Sequence, residues 1–141
     1  MRLEPCEHGG SMGSKRDTVF EFRDAIDARE FDRAFACTVA DPTWRVFASE
    51  YKGRAGIERV MSYADQLYQV DTLTKEIQSV TADDERVVVR NIMRGKTKTG
   101  RDYENYYVLV YEFEGDKIAK IWEYLDKDYT NRIFDDIALV R

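Results

Sequence analysis

The fold is indicated most clearly by residues 87–126, which read VVVRNIMRGKTKTGRDYENYYVLVYEFEGDKIAKIWEYLD. It consists of runs of β-branched and aromatic residues, separated by polar segments around Gly100 and at residues 114–116. Such runs favour strands, and short segments that contain glycine favour the turns of hairpins. We therefore predict strands over residues 87–97, 103–113 and 117–126, each antiparallel to the next.

Upstream of this stretch, residues 74–81 predict a fourth strand of the same meander. Before them, apolar residues recur at helical spacing in three segments, and Ser14 with Asp17 forms the capping-box pattern that begins the first helix. Asp41 precedes Pro42 and is predicted to end the second helix, since a residue before proline avoids the helical conformation. A short strand is predicted around Trp44. Helices followed by a meander of strands define an α+β fold.

The two ends of the chain differ in character. Residues 1–13 include Pro5 and several glycines without periodicity, and we predict that they form a disordered tail. Residues 14–141 are predicted to form a single α+β domain, in which residues 127–141 contribute a last helix.

Composition and charge exclude several classes of partner. The net charge of −5 disfavours nucleic acid, because a duplex-binding protein needs a basic face. No apolar run approaches the roughly 20 residues of a membrane helix, and residues 1–13 lack the apolar core of a signal peptide. Two cysteines are too few for a disulfide framework. We expect a cytoplasmic protein without a nucleic-acid or membrane partner.

The residues that face the interior follow from the strand register, because alternate residues of a strand face opposite sides. We pair Thr97 with Asp102 around Gly100 and take residues 114–116 as a three-residue loop. A slip by one residue would reverse every facing. The inner face of three neighbouring strands then carries Arg90, Ile92, Arg94, Asn105, Tyr107, Leu109, Ile121, Glu123 and Leu125.

Glu123 is the only carboxylate predicted on this inner face, and Arg90 is offset from it diagonally across Leu109. Burial raises the pKa of a carboxyl group, whereas a nearby guanidinium lowers it. If Arg90 engages Glu123, the carboxylate is ionised and acts as a base; otherwise Glu123 is protonated and acts as an acid. A pair that only neutralises itself inside the sheet is the structural alternative.

The last strand predicts an interface. Trp122 and Tyr124 lie on one of its faces and Ile121 with Leu125 on the other, so both faces are bulky and largely apolar. The helices cover one side of the sheet, and a second subunit is the simplest cover for the other. We predict a homodimer through the outer sheet face.

The order of these elements resembles the nuclear transport factor 2-like superfamily, and within it the SnoaL-like group. The resemblance spans about residues 15–126 and implies a cone-shaped sheet closed by helices, with a pocket at its wide end. The stretches that carry it are residues 35–44, YKGRAGI at 51–57, TGRDYEN at 99–105, GDKI at 115–118 and EYLD at 123–126.

The resemblance also implies roles for single residues. Aligned with limonene epoxide hydrolases, Arg90 falls on the catalytic arginine and Glu123 on one of two catalytic aspartates, but the second aspartate position is Ile92. The catalytic positions of ketosteroid isomerases fall on apolar residues here, which disfavours that machinery. SnoaL-type cyclases use one acidic residue on the inner wall, and this likeness implies the same role for Glu123.

Two functions stay open. One is a cofactor-free enzyme that transfers a proton on a small, mostly apolar molecule, with Glu123 as acid or base, Arg90 as its partner, and Tyr107 and Asn105 as orienting groups. The other is a non-catalytic ligand-binding or dimerisation module. We expect neither a metal nor a cofactor. The predicted ligand-binding residues are Tyr107, Asn105, Ile92, Arg94, Leu109, Ile121, Leu125, Trp44, Phe22, Met61 and Tyr68.

Overall fold

A computed structural model describes residues 14–141. The prediction of a disordered tail over residues 1–13 falls outside the described residues. The helices are α1 (Lys15–Asp27), α2 (Phe31–Phe35), α3 (Gly53–Leu67) and α4 (Lys127–Ile133). The strands are β1 (Thr38–Val46), β2 (Ser49–Lys52), β3 (Thr74–Ala82), β4 (Arg86–Lys96), β5 (Asp102–Glu114) and β6 (Lys117–Leu125).

The six strands form one curved, unclosed sheet in the order β2-β1-β6-β5-β4-β3. Strands β3 to β6 form the antiparallel meander that the sequence predicts, whereas β1 runs parallel to β6. The predicted α+β class is confirmed.

Helix α1 begins as its sequence predicts. The Ser14 hydroxyl accepts a hydrogen bond from the Asp17 amide at 3.1 Å, and the Asp17 carboxylate accepts one from the Ser14 amide at 3.3 Å. This capping box satisfies backbone donors that the first turn of a helix leaves unpaired. Val19, Phe22 and Ile26 on one side of α1 are buried in the core against the sheet.

The region after α2 departs from the prediction. Asp41 and Pro42 do not end a helix but lie within strand β1. The pairing of β1 with β6 shifts between Thr38 and Thr43, and this irregularity accommodates a proline that has no N–H to donate to the ladder. Strand β2 pairs with β1 at the edge of the sheet.

The register between β4 and β5 is one residue away from the predicted one. Lys96, and not Thr97, pairs with Asp102, so the hairpin loop spans residues 97–101. Thr97 pairs instead with Tyr68, and its hydroxyl accepts a hydrogen bond from the Arg101 amide at 3.0 Å. Contacts outside the hairpin therefore determine the loop length.

This slip reverses strand β4. Arg90, Ile92 and Arg94 lie on the outer face of the sheet, and Asn91 and Met93 line the interior instead. The prediction that Arg90, Ile92 and Arg94 face inward is wrong. Ile92 is only 6% exposed on the outer face.

The pairing of β5 with β6 differs from the prediction in another way. Leu109 pairs with Glu123, where Tyr107 had been predicted. Glu114 pairs with Lys117, so the hairpin loop has two residues and not the predicted three, and the register shifts by one further residue between Glu112 and Phe113. A displacement by two residues keeps every side chain on its predicted face. Tyr107, Leu109, Glu123 and Leu125 therefore face the helices, as predicted.

One finding concerns the predicted location. Among residues 14–141, no helix is both long enough and apolar enough to cross a bilayer. The cytoplasmic location stays a prediction.

Candidate functional site

A cavity of about 790 Å³ lies between the inner face of the sheet and helices α1 and α3. Its volume is within the range of pockets that bind small molecules. Residues near the C-terminus, Phe134, Ile137 and Leu139, also contribute to its wall. Most of the lining is apolar, and four small sets of polar groups at the cavity are described below.

The first set is a carboxyl group held by an indole. Trp44 Nε1 donates a hydrogen bond to Glu123 Oε1 at 3.1 Å, between the neighbouring strands β1 and β6. Burial raises the pKa of Glu123 above its ordinary value, and the hydrogen bond from Trp44 and the positive charges of Lys75 and Arg23 oppose this shift. Glu123 therefore favours its protonated form more than an exposed carboxyl group does.

The second set is a buried guanidinium. Arg23 extends from α1 to the sheet, where its Nη1 donates to the Tyr111 hydroxyl and its Nη2 to Asn91 Oδ1, each at 3.0 Å. Its side chain lines the cavity although the residue is only 8% exposed. Both hydrogen-bond acceptors of this cation are neutral groups.

The third set is an ion pair at the cavity wall, in which Lys75 Nζ lies 2.8 Å from Asp27 Oδ1.

The fourth set is a chain of hydroxyl groups. The hydroxyl of Tyr107 is hydrogen-bonded to that of Tyr103 and lies 3.3 Å from that of Tyr68. Asn105 Nδ2 donates to the Tyr103 hydroxyl at 3.2 Å. Burial is the largest cause that raises the pKa of Tyr68, Tyr103 and Tyr107. These hydroxyls stay protonated at neutral pH and can donate to a ligand oxygen.

The structure brings together eight of the residues predicted from the sequence. The cavity is lined by Glu123, Tyr107, Leu109, Leu125, Trp44, Phe22, Met61 and Tyr68. Asn105 is buried beside the cavity and donates to the Tyr103 hydroxyl, and Ile121 is buried in the core.

The predicted partnership of Arg90 with Glu123 is wrong. Arg90 is exposed on the outer face, where its Nη1 lies 3.5 Å from Ser79 Oγ. Arg94 pairs with Glu76 and Glu104 on the same outer face. The side chains on the outer face of β4 point away from the cavity, so neither arginine can reach it.

Sequence reasoning missed Arg23, Asn91, Lys75 and Tyr111, which line the cavity. Asn91 follows directly from the corrected register of β4. Arg23 directly follows the buried Phe22, and a charged residue beside the apolar stripe of a helix was the available signal. Among residues 14–141, no group of three or more His, Cys, Asp or Glu side chains could hold a metal ion.

Comparison with known proteins defines the class first. Several solved structures share this fold, among them a nuclear transport factor 2-like protein of unknown function from Burkholderia pseudomallei. That protein is 17% identical, with a TM-score of 0.75 over 84% of this chain and 95% of its own. These neighbours match a cone-shaped fold, so the chain has the α+β fold of nuclear transport factor 2-like proteins.

The family follows from the sequence. The model of the SnoaL-like domain matches residues 19–121, which is most of the chain, and the chain belongs to this family. No curated protein matches it in sequence.

Two further structures were solved with small molecules. TerC, co-crystallised with polyporic acid, is 12% identical, with a TM-score of 0.75 over 86% of this chain and 98% of its own. A hypothetical protein with a ketosteroid isomerase-like fold from Catenulispora acidiphila, in complex with trimethylamine, is 15% identical. Its TM-score is 0.64 over 76% of this chain and 83% of its own. At these identities the likeness shows the fold alone.

Proposed function

We propose that the protein binds a small, mostly apolar molecule in its cavity and transfers a proton to or from it through Glu123. The observation that carries this proposal is the position of the Glu123 carboxyl group. It lines an apolar cavity and accepts a hydrogen bond from an uncharged donor, Trp44 Nε1. A buried carboxyl group with a raised pKa exchanges protons closer to neutral pH than an exposed one.

The two oxygens of Glu123 have different surroundings. Trp44 holds Oε1, and no hydrogen bond to Oε2 occurs within the described part of the chain. Oε2 is therefore the oxygen that exchanges a proton with the ligand. Protonated Glu123 would act as an acid and ionised Glu123 as a base, and the Tyr107 and Tyr68 hydroxyls would donate to an oxygen function of the ligand.

Binding of small molecules by this fold supports the first half of the proposal. The complexes of TerC with polyporic acid and of the Catenulispora acidiphila protein with trimethylamine show that related folds accept quite different small molecules. The mainly apolar lining here favours a ligand with a large hydrophobic part.

Paired variants on the two faces of the sheet test this function. Glu112 accepts a hydrogen bond from Trp122 Nε1 at 3.1 Å on the outer face, so it is matched to Glu123 in type and bonding but not in position. Native mass spectrometry of the purified protein identifies retained compounds, and a thermal-shift screen of small hydroxyl and carbonyl compounds supplies further ligands.

We expect Glu123→Gln to lower the turnover of such a compound by about 100-fold or more while ligand binding persists. Glu112→Gln should leave both unchanged. Intact turnover in Glu123→Gln would exclude Glu123 as the acid or base.

A non-catalytic binding module is the second candidate. The cavity contains one other carboxylate among the described residues, Asp27, and it pairs with Lys75. Glu123 thus lacks a second carboxylate to share a reacting water. Ligand binding without turnover, unaffected by Glu123→Gln, would favour this candidate.

We also propose that the outer face of the sheet forms a homodimer. Tyr106 and Tyr124 are 56% and 45% exposed on this face, beside Trp122. Large apolar groups exposed together are typical of interaction surfaces. Native mass spectrometry should show a dimer that Tyr106→Lys converts to a monomer, and a monomeric wild-type protein would contradict the proposal.

A further inference from the structure

We infer that the cavity selects ligands with an acidic oxygen group, such as a carboxylate, enolate or phenolate, and that Arg23 binds this group. The inference rests on the proposed function only in placing the ligand in this cavity. It adds the chemical class of the ligand and the residue that recognises it.

Among the residues that the structure describes, no anion is bonded to the buried cation Arg23. Its guanidinium donates to the Tyr111 hydroxyl and to Asn91 Oδ1, both neutral acceptors, and no ion pair within residues 14–141 includes it. Taking a charge out of water is costly unless an opposite charge compensates it. Guanidinium groups bind carboxylate and related oxyanions strongly through charge-assisted hydrogen bonds.

The carboxylates of the same helix bond other cations. Glu21 and Asp24 both pair with Arg33, the latter with a distance of 2.6 Å between Asp24 Oδ2 and Arg33 Nη2. Asp27 pairs with Lys75 at 2.8 Å. Each acidic group near Arg23 on α1 is therefore paired with a cation other than Arg23. A ligand anion would complete the charge balance of Arg23.

Tyr111 and Asn91 hold the guanidinium in place from two neighbouring strands. A side chain fixed in this way loses little additional freedom when a ligand binds. In the strand register, Leu109 pairs with Glu123 on β6, and Tyr111 is two residues further along the same strand. Arg23, bonded to Tyr111, and Glu123, opposite Leu109, thus lie at distinct points of one wall.

This arrangement suits a ligand with two functional points. Its acidic oxygen would bind Arg23, and the atom that gains or loses a proton would lie at Glu123. A protonated Glu123 does not repel the ligand anion, whereas an ionised one does. The inference therefore predicts that neutralising Glu123 preserves, or increases, the preference for acidic ligands.

Matched pairs of acids and amides test the inference directly. The probes are 2-naphthoate with 2-naphthamide, and cyclohexanecarboxylate and 4-tert-butylbenzoate with their amides. Isothermal titration calorimetry at pH 7 gives the affinity of each compound for the wild-type protein and for Arg23→Met, Arg23→Lys and Glu123→Gln.

We expect at least one acid to bind the wild-type protein about tenfold or more tightly than its amide. Arg23→Met should abolish this preference, Arg23→Lys should retain part of it, and Glu123→Gln should keep it. The comparison within the wild-type protein needs no variant, so it tests the preference for acidic ligands even if Arg23→Met does not fold, and Arg23→Lys then tests the role of Arg23.

Equal affinity of acids and amides, or no acid binding at all, would overturn the inference. Turnover of a neutral compound that depends on Glu123, without a preference for acids, would overturn it and leave the proposed function intact. A preference for acids without any reaction that depends on Glu123 would support the inference and contradict the proposed proton transfer.

Discussion

Trp44 Nε1 donates a hydrogen bond of 3.1 Å to Glu123 Oε1, and Trp122 Nε1 makes the same bond to Glu112 Oε1 on the opposite face of the sheet. The inner carboxyl group lines the cavity, whereas the outer one also pairs with Arg86 at 3.2 Å. The chemistry of the two pairs is alike and the surroundings differ. Their comparison separates the effect of the cavity from that of the hydrogen bond.

Replacing Glu123 by glutamine should stabilise the protein at pH 7. Burial raises the pKa of Glu123, so the folded protein binds its proton more tightly than the unfolded chain does. Ionisation as the pH rises through this pKa therefore destabilises the fold, and a neutral glutamine avoids that cost. We expect a gain on the order of 1 kcal/mol in the free energy of unfolding, as is common when a functional group is replaced.

The pH dependence of this gain is its check. Well below the ordinary pKa of 4.5 the carboxyl group is neutral in both states, and the gain should vanish. Urea unfolding of wild type and variant across this range measures it, with Glu112→Gln as the control that should show no gain at pH 7. A stability difference independent of pH would contradict the expected burial effect.

Replacing Trp44 by phenylalanine should raise the pKa of Glu123 further. The indole N–H stabilises the ionised carboxylate, and phenylalanine removes this donor while it keeps an aromatic ring beside Phe22, whose ring centroid lies 6.2 Å from that of Trp44. NMR titration of the side-chain carboxyl carbon of Glu123 measures the change. Trp122→Phe is the matched control, and an equal effect of both variants on Glu123 would contradict a direct bond.

Four of the nine tyrosines should resist ionisation in the folded protein. Burial raises the pKa of Tyr68, Tyr103, Tyr107 and Tyr111. Tyrosinate absorbance recorded against pH should therefore show these four only when the chain unfolds in alkali, because a folded state that holds its protons loses stability as the pH rises. Simultaneous ionisation of all nine before unfolding would contradict this.

Loss of the central hydroxyl of the tyrosine chain should destabilise the protein. Tyr107→Phe leaves the Tyr68 and Tyr103 hydroxyls without the partner they share, at a cost of about 1–3 kcal/mol. Tyr106 is the next residue but is exposed on the outer face, so Tyr106→Phe should change the free energy of unfolding by less than about 0.5 kcal/mol. Equal losses in both variants, measured by urea unfolding, would refute the role of the chain.

Arg90 provides a test of the strand register. Because it lies on the outer face, Arg90→Ala should leave ligand affinity and turnover in the cavity unchanged, and the stability should change by less than about 0.5 kcal/mol. The family resemblance had placed a catalytic arginine at this position. A large loss of turnover would restore that role and contradict the register of β4.

The position of Glu123 could be predicted because it depends on counting along one strand. Glu123 lies between Trp122 and Tyr124, and alternation separates its side chain from both. The shorter hairpin loop and the bulge each shift the pairing by one residue, and the total of two left this alternation intact. The faces on which Asn91 and Arg90 lie depend on the length of the hairpin loop between β4 and β5. An error of one residue in that length placed Arg90 on the inner face, where Asn91 lies in the structure.

Helices α1 and α3, the meander of strands and the inward carboxyl group could be derived from the sequence, because each follows from a local periodicity that neighbouring residues define. Which residues line the cavity together with Glu123 depends on the tertiary structure. Thr97 pairs with Tyr68 and so sets the length of the hairpin loop. Arg23 meets Asn91 and Tyr111, which are 68 and 88 residues away along the chain, only when α1 packs against the sheet. Such contacts depend on packing between distant segments, which no local pattern encodes.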